Sequence, residues 1–300
     1  MELRQLEYFL AVVETGSFTR AAAQVRVAQP GVSAQIRRLE RELGQPLLDR
    51  SGRTVRLTEA GAAVVPHARA ALAAVDAARH TVDELTGLLR GRVSVGMITS
   101  CGPLGLPEIL ADFHRKHPAV EITLTEADSD DLVARLRAGT LDAAIVGLPP
   151  VAPEGLATQI VTDEPVVGAV ATGHPLPDEI PLADLREQPL ISLPRGTGIR
   201  ARLEDACTAA GFTPTIAFEA SDPFLLADLA ARDLGLAILP ASVLQSEPPG
   251  VRAVTLTPEF RGQLALTWRR PGPTNPAARA FLTDARSALP HCRASAPTPP

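Results

Sequence analysis

Residues 17–44 read SFTRAAAQVRVAQPGVSAQIRRLERELG, and this stretch decides the fold of the N-terminal part of the chain. Ser17 is placed to cap a short helix over residues 18–24, whose three alanines would let a second helix cross close by. A longer helix is predicted over residues 29–43, with Pro30 in the first turn, where its missing N–H costs nothing. A short helix, a tight turn and a longer helix predict a helix-turn-helix.

The longer helix has an apolar face and a polar face, each repeating at helical spacing. The expected buried stripe consists of Val32, Ile36, Leu39 and Leu43, and the polar face of Gln29, Ser33, Arg37 and Arg41. Gln, Ser and Arg side chains can reach base edges and phosphates in a major groove. The polar face therefore favours DNA binding, and the alternative is a solvated face on a small helical bundle.

A basic hairpin is predicted directly after these helices. Residues 47–57 read LLDRSGRTVRL, and two short strands on either side of Ser51-Gly52 would place Arg50, Arg53 and Arg56 near the tip. A basic hairpin beside a helix-turn-helix indicates a wing that lies on the phosphate backbone.

The charge is unevenly distributed along the chain, which carries a net charge of −5. Residues 1–57 hold nine arginines and six acidic residues, a net charge of +3, so the remaining residues carry −8. A basic N-terminal module on an acidic body favours a nucleic-acid-binding segment joined to a second function.

The composition indicates a globular protein of two or three domains. Of 300 residues, 45% are hydrophobic and 21% are charged, so wholesale disorder is excluded. No apolar run has the roughly 18 residues that a transmembrane helix needs, and no signal-peptide pattern opens the chain. We therefore expect a cytoplasmic protein.

Residues 3–61 resemble the N-terminal winged helix-turn-helix of LysR-type transcriptional regulators. The motifs that carry the resemblance are GSFTRAA (16–22), AQPGVS (28–33), IRRLERELG (36–44) and RLTEAG (56–61). Two positions depart from the family pattern: Leu48 replaces the usual Phe in the core, and Ala34 replaces a polar recognition residue, which should alter operator preference. The resemblance implies DNA-facing roles for Gln29, Pro30, Ser33 and Arg37, and backbone contacts for Thr19, Arg50 and Arg53.

A long helix is predicted from Thr58, its N-cap, to about Leu89. Small apolar residues alternate in steps of four and three along it, an unbroken heptad seam that favours a partner helix. The predicted dimerisation residues are Val64, Ala68, Ala71, Val75, Ala78, Val82 and Leu85, with Leu89 closing the seam. Packing on the chain's own domain is the alternative. A homodimer would present two recognition helices to a two-fold symmetric operator, and the resemblance also allows a homotetramer.

Strands and helices alternate beyond Gly91, which predicts a parallel α/β sheet in two halves with a ligand cleft between them. Strands are expected at 93–97, 120–124, 141–146, 166–171, 190–193, 215–219, 236–239 and 263–269, and helices near 104–113, 129–138, 181–187, 199–210, 222–232 and 275–289. Ser129 is expected to cap the second of these helices.

LRAGTLDAAIVG (136–147), GHPLP (173–177) and ARDLGLAILP (231–240) resemble the effector-binding region of the same family. The resemblance implies a periplasmic-binding-protein-like fold in two subdomains. The predicted organisation is a winged helix-turn-helix over 1–58, a linker helix over 59–90 and an effector domain over 91–290. Subdomain I would comprise 91–163 and 266–290, subdomain II would comprise 164–265, and 291–300 would be a disordered tail.

The predicted effector site lies where strands end and helices begin, because helix N-termini favour anions. Its residues are Thr99, Ser100, Arg195, Thr197 and Asp222. Arg195 could hold a carboxylate bidentately, so we expect a small organic anion. Ordinary helix capping is the alternative for each residue.

Other chemistry has little support in the sequence. His114 and His117 have metal-pair spacing but no third ligand, and the acidic residues beside Cys207 argue against a redox pair with Cys101. We expect no metal, no cofactor and no catalysis, because no catalytic motif is present. The two open functions are a DNA-binding regulator controlled by a small molecule, and a metabolite-binding protein or enzyme whose N-terminal module serves only assembly.

Overall fold

The computed structural model describes residues 1–51, 54–85, 89–99, 104–246 and 248–292, without the side chains of residues 73, 76, 77 and 79–85. The chain forms two compact units. One contains residues 1–91 together with Thr274–Ala277, and the other contains the rest of the chain. None of the helices in these ranges combines the length and apolar character that a membrane span requires.

The N-terminal unit is a winged helix-turn-helix continued by a long helix, as the sequence predicted. Its elements are α1 (Leu3–Thr15), α2 (Phe18–Gln24), α3 (Gln29–Leu43), β1 (Leu48–Asp49), β2 (Arg56–Leu57) and α4 (Glu59–Leu85). The predicted caps are confirmed: Ser17 Oγ accepts from Arg20 N at 3.5 Å, and Thr58 Oγ1 accepts from Gly61 N at 3.0 Å.

The core of this unit joins all four helices. Phe9 and Val12 of α1 and Ile36 of α3 are fully buried in it, together with Val65 and Ala68 from α4. Two expectations were wrong in detail. Leu43, expected in the buried stripe, is 40% exposed because it lies in the last turn of α3, beyond the core. Leu89, expected to close the heptad seam, is not helical.

The C-terminal unit is an α/β sheet in two halves. The first half is built from β3 (Gly91–Met97), α5 (Leu106–Lys116), β4 (Val120–Glu126), α6 (Ser129–Ala138), β5 (Ala143–Gly147), β12 (Arg261–Arg269) and α10 (Pro276–Ala288). The second half is built from β7 (Glu179–Pro181), a 3-10 helix (Leu182–Glu187), β8 (Leu190–Ser192), α7 (Gly198–Ala209), β9 (Ile216–Glu219), α8 (Pro223–Ala231), β10 (Leu236–Pro240), α9 (Ala241–Gln245) and β11 (Val251–Thr257).

One long strand, β6 (Leu156–Ala171), belongs to both halves. In the described part of the chain the sheet order is β4-β3-β5-β12-β6-β10-β8-β9, with β11 on β6 and β7. Some neighbours are parallel, β3 with β5 in the first half and β8 with β9 and β10 in the second. The expectation of an all-parallel sheet was wrong, because β6 and β12 are antiparallel to each other and to their neighbours.

The boundary between the halves follows from the pairing of β6. Residues 156–165 pair with β12, and residues 166–171 pair with β10 and β11. The change of partner thus falls at Val166, and β12, which pairs with the first ten residues of β6, begins at Arg261; the subdomain bounds 164 and 265 stay predictions. This is the periplasmic-binding-protein-like arrangement expected from the sequence, with the second half inserted into the first.

Candidate functional site

The outer face of α3 carries the polar side chains that the sequence singled out. Gln29, Pro30 and Arg37 are exposed, and Ser33 is half-buried. Three inward-facing residues of the same helix, Val32, Ile36 and Leu39, are fully buried. Thr19, in the first turn of α2, is exposed as well.

Two guanidinium groups on this face are available for a ligand. Arg37 and Arg41 line a shallow hollow with Gln45 and Pro46, and neither makes an ion pair with any described residue. The neighbouring Arg38 differs, because Glu2 and Glu42 lie 3.4 and 3.3 Å from it. Exposed arginines on a helix face, with no carboxylate pairing their charge, can bind a polyanion.

The wing is tied to α3 by one carboxylate, Glu40. Its Oε1 accepts hydrogen bonds from the backbone N–H groups of Leu47 and Leu48 at 3.0 and 3.3 Å. Its Oε2 pairs with Arg50 at 2.7 Å, and that guanidinium also lies over the Phe18 ring, 5.1 Å from its centroid. Glu40 therefore fixes where the chain leaves the recognition helix. No local spacing rule links a residue on the helix with the strand that follows, so the sequence did not reveal this role.

Arg50, one of the predicted backbone-contacting residues, is exposed but pairs with Glu40 and lies over the Phe18 ring. Part of its charge is therefore already compensated within the protein. Arg53 lies outside the described residues. Within the wing, hydrogen bonds from Ser51 to Asp49 lower the pKa of that carboxyl and order the start of the turn.

The predicted dimerisation seam on α4 has two parts, an early one that packs on the core of its own unit and a later one that does not. Ala68 is buried in the core of its own unit, and Val64 and Ala71 pack against that core. Val75 is half-buried and Ala78 is exposed. The side chains of Val82 and Leu85 lie outside the described residues. Only the later part of the seam is thus left for a partner helix among the side chains that the structure describes.

A cavity of ≈ 490 Å³ lies in the C-terminal unit, between its two halves. Thr99, Arg195 and Thr197, three of the predicted effector residues, line it. Asp222 is absent from its lining, because its carboxylate caps α8 by accepting from Phe224 N at 3.0 Å. Ser100 lies outside the described residues.

The floor of the cavity is a backbone-to-backbone contact between the halves. A Cβ on Gly198 would lie 2.5 Å from the carbonyl carbon of Gly147, so the first residue of α7 is pressed against the end of β5. Asp130 N donates to Gly196 O at 3.2 Å beside it. The α7 N-terminus, expected to attract an anion, is therefore covered by protein at its first residue.

Ser129 has a different role from the predicted helix cap. Its buried hydroxyl accepts a hydrogen bond from Gly147 N at 3.0 Å and holds the end of β5. The cap of α6 is Asp128, whose Oδ1 accepts from Asp131 N at 2.8 Å. Of these two neighbouring residues, Asp128 therefore caps the helix and Ser129 bonds to strand β5.

The arginines near the cavity are paired with carboxylates. Arg195 is 78% exposed and its Nε lies 3.2 Å from Glu204 Oε1. Arg200, which the sequence did not single out, is buried; it pairs with Glu204 at 2.9 Å and Glu219 at 3.0 Å, and donates to Leu193 O at 3.2 Å. Arg195 is thus the one guanidinium on the described lining, and a single exposed contact to Glu204 engages only part of it.

Cys207 is unsuited to thiolate chemistry. Its side chain is fully buried, and burial, with a smaller contribution from the Glu204 charge, raises the pKa of its thiol to about 11. Cys101 lies outside the described residues. His117 packs its ring against Phe113, with the centroids 4.9 Å apart, and no cluster in the described ranges has three His, Cys, Asp or Glu side chains arranged for a metal.

The fold and these surfaces define a class of protein: a winged helix-turn-helix module with basic groups on its recognition helix, followed by a two-part ligand-binding domain. The family model for the bacterial regulatory helix-turn-helix protein, lysR family, matches residues 3–62, and that for the LysR substrate binding domain matches residues 86–290. The chain belongs to the LysR family of bacterial regulators.

Relatives of known activity agree with this assignment. The chain is 34% identical over 278 residues to the DNA-binding transcriptional dual regulator OxyR of Escherichia coli K12, covering 91% of each protein. A full-length OxyR variant from Pseudomonas aeruginosa is 28% identical, with a TM-score of 0.74 over 96% of this chain and 94% of that one. Full-length CbnR in complex with its target DNA is 27% identical, with a TM-score of 0.59 over 96% and 100%.

The protein is therefore a DNA-binding transcriptional regulator with an effector-binding domain. The alternative, a metabolite-binding protein or enzyme with an assembly module, finds no support in these similarities.

Removing the Glu40 carboxylate should loosen the wing. Glu40→Ala leaves two backbone donors and Arg50 without their acceptor, so we expect a loss of about 1–3 kcal/mol in the free energy of unfolding. Amide exchange at Leu47 and Leu48, followed by NMR or mass spectrometry, should accelerate. Glu42→Ala, on the same helix but in exposed ion pairs, is the control and should change stability by about 0.5 kcal/mol or less. Equal effects of both substitutions would contradict this role of Glu40.

Cys207 should resist alkylation in the native protein. A Cys101→Ser/Cys292→Ser variant retains only this thiol, and at pH 8 a pKa of about 11 lowers its thiolate fraction about 100-fold below that of an ordinary cysteine. Iodoacetamide labelling measured by mass spectrometry should be correspondingly slow, should rise as the pH approaches 11, and should become fast in urea. Rapid labelling of the folded protein at pH 8 would show that the thiol is reactive.

Proposed function

We propose that this regulator reads its operator with the outer face of α3, through Gln29, Pro30, Ser33 and Arg37, and that Thr19 and the wing contact the DNA backbone. The observation that carries the proposal is the exposed Arg37–Arg41 pair on a helix whose opposite face is fully buried. An arginine that no carboxylate holds can bond bidentately to guanine or to phosphate. Arg50, held by Glu40, acts in this proposal by positioning the wing, whereas Arg53 supplies its phosphate contact.

We further propose that the effector binds in the cavity between the two halves of the C-terminal unit. Thr99, Arg195 and Thr197 line it, and Ser100 and Asp222 stay predicted contacts. A ligand can alter DNA affinity only if it binds two arrangements of the protein unequally. The regulator would act by binding alone, without catalysis, and in the cytoplasm, where bacterial DNA lies.

The later part of α4 is our candidate for the dimer contact. Val75 and Ala78 keep side-chain surface that the protein's own core does not cover. Two copies joined there would present two recognition helices to the half-sites of a symmetric operator.

The recognition face can be tested with a matched pair of arginine variants and the DNA upstream of the regulator's own gene. Arg37→Ala should weaken binding by about 1–3 kcal/mol and relax base preference, and Ser33→Ala should relax preference with a smaller loss. Arg38→Ala is the control, because its side chain is paired with Glu2 and Glu42. Fluorescence anisotropy on upstream and scrambled duplexes measures both quantities. If Arg37→Ala and Arg38→Ala behave alike, α3 does not read DNA through this face.

The dimer contact can be tested with two separate variants, each of which places an aspartate at one of two adjacent positions of α4. Val75→Asp should shift the protein towards monomer and abolish tight operator binding, because an unpaired carboxylate is costly to bury. Ala74→Asp, at an exposed position on a different face of α4, should leave the oligomer intact. Sedimentation velocity distinguishes the two states. If Val75→Asp leaves the oligomer unchanged, this part of α4 does not form the dimer contact.

A further inference from the structure

The cavity between the halves has an apolar wall contributed from both sides. The first half supplies Ile98, Leu104 and Leu264, and the second supplies Ile199, Phe224 and Val243. Phe224 is half exposed although it is a large hydrophobic residue. Such a lining binds the hydrocarbon body of a small molecule and leaves its specificity to the few polar groups that converge on the cavity.

The charged groups on the wall are mainly carboxylates. Glu126 stands at the end of β4 and makes no hydrogen bond or ion pair with any described residue. Glu164 accepts from the backbone N–H and the hydroxyl of Ser242, at 2.7 and 3.0 Å. Asp128 uses one oxygen to cap α6. None of the three forms an ion pair within the described part of the chain.

The nearby cations are fewer than the carboxylates. Arg195, the one cationic residue in the described lining, is 78% exposed, and its Nε lies 3.2 Å from Glu204. Arg200 is paired with Glu204 and Glu219, and Arg202 donates to Leu148 O and Gln263 Oε1 at 2.9 and 2.8 Å. Residues 100–103, which follow Thr99 in the sequence, are Ser-Cys-Gly-Pro and include no cationic side chain.

From this charge balance we infer that the effector is an organic cation, an amine or amidine on a compact apolar body, with its charged group bound at Glu126. The inference rests on the proposed use of this cavity as the effector site and replaces the organic anion expected from the sequence. Glu126 is exposed, so the ammonium group would meet a solvated carboxylate, and the apolar wall beside it strengthens their attraction relative to open water. An ammonium donates up to three hydrogen bonds, whereas a second carboxylate would be repelled by all three acids.

Three probes of nearly equal shape test the charge: cyclohexylmethylamine, cyclohexylmethanol and cyclohexanecarboxylate, titrated calorimetrically into the full-length protein at fixed ionic strength. The amine should bind at least about tenfold more tightly than the carboxylate, with the alcohol between them. Glu126→Gln should weaken the amine by about five- to tenfold and leave the alcohol unchanged. Glu121→Gln is the matched control, because Glu121 lies on the same strand, exposed and paired with Arg92; it should change neither.

A second variant locates the binding. Val243→Trp fills the cavity and should abolish binding of all three probes. Because Val243 is buried in the core beside the cavity, the unfolding temperature should fall, and circular dichroism must show that the variant is folded. Tighter binding of the carboxylate, failure of the amine to bind, or an amine affinity insensitive to Glu126→Gln would each overturn the inference. So would binding that survives in a folded Val243→Trp protein.

Binding to the upstream DNA tests the proposed function separately. A protein that binds its DNA but prefers the carboxylate contradicts only the charge of the effector.

Discussion

One antiparallel ladder, β6 against β12, holds the two halves of the C-terminal unit in register, and the geometry of the cavity depends on it. The ladder runs from Leu156–Arg269 to Pro165–Arg261. At its end β6 exchanges one partner for another, and Val166 N donates to Phe260 O at 2.9 Å. Both crossings of the chain between the halves therefore lie side by side. One of the two, at the start of β12, is an element end of the kind where hinged domains absorb changes in backbone angle, whereas the other lies within the continuous strand β6.

The halves are also joined away from the ladder. The contact of Gly147 with Gly198 has no room for a side chain on Gly198 and little room for one on Gly147. Arg202 reaches from α7 to the carbonyl of Leu148 and to Gln263, and burial lowers its pKa. Opening the cavity would separate these groups, so a ligand that bridges both halves stabilises the arrangement described here against any open one. The same contacts therefore both shape the site and link its occupancy to the relation between the halves.

The sequence predicted well what depends on local periodicity. The faces of α3 follow from a period of 3.6 residues, and most strands lie within two residues of their predicted bounds. The first ten residues of β6 were missed, because Asp163, Glu164 and Pro165 interrupt the apolar alternation of a strand. Asp163 is accommodated through Arg261 and Gln263 on the neighbouring strand, at 2.7 and 3.1 Å, and these contacts bridge nearly a hundred positions of sequence. The cavity carboxylates and the Glu40–Arg50 pair were missed for the same reason: they are assembled by tertiary contacts, which no short spacing encodes.

The position of Glu40 has an evolutionary consequence. Its carboxylate supports the wing from the flank of α3 that packs towards the hairpin, whereas Gln29, Ser33 and Arg37 occupy the outer face. The two sets of side chains do not bond to each other in the described structure. If the outward residues read DNA as proposed, a lineage could therefore exchange them and acquire a new target sequence without disturbing the scaffold that presents them. Target choice and architecture would then drift independently within a helix of fifteen residues.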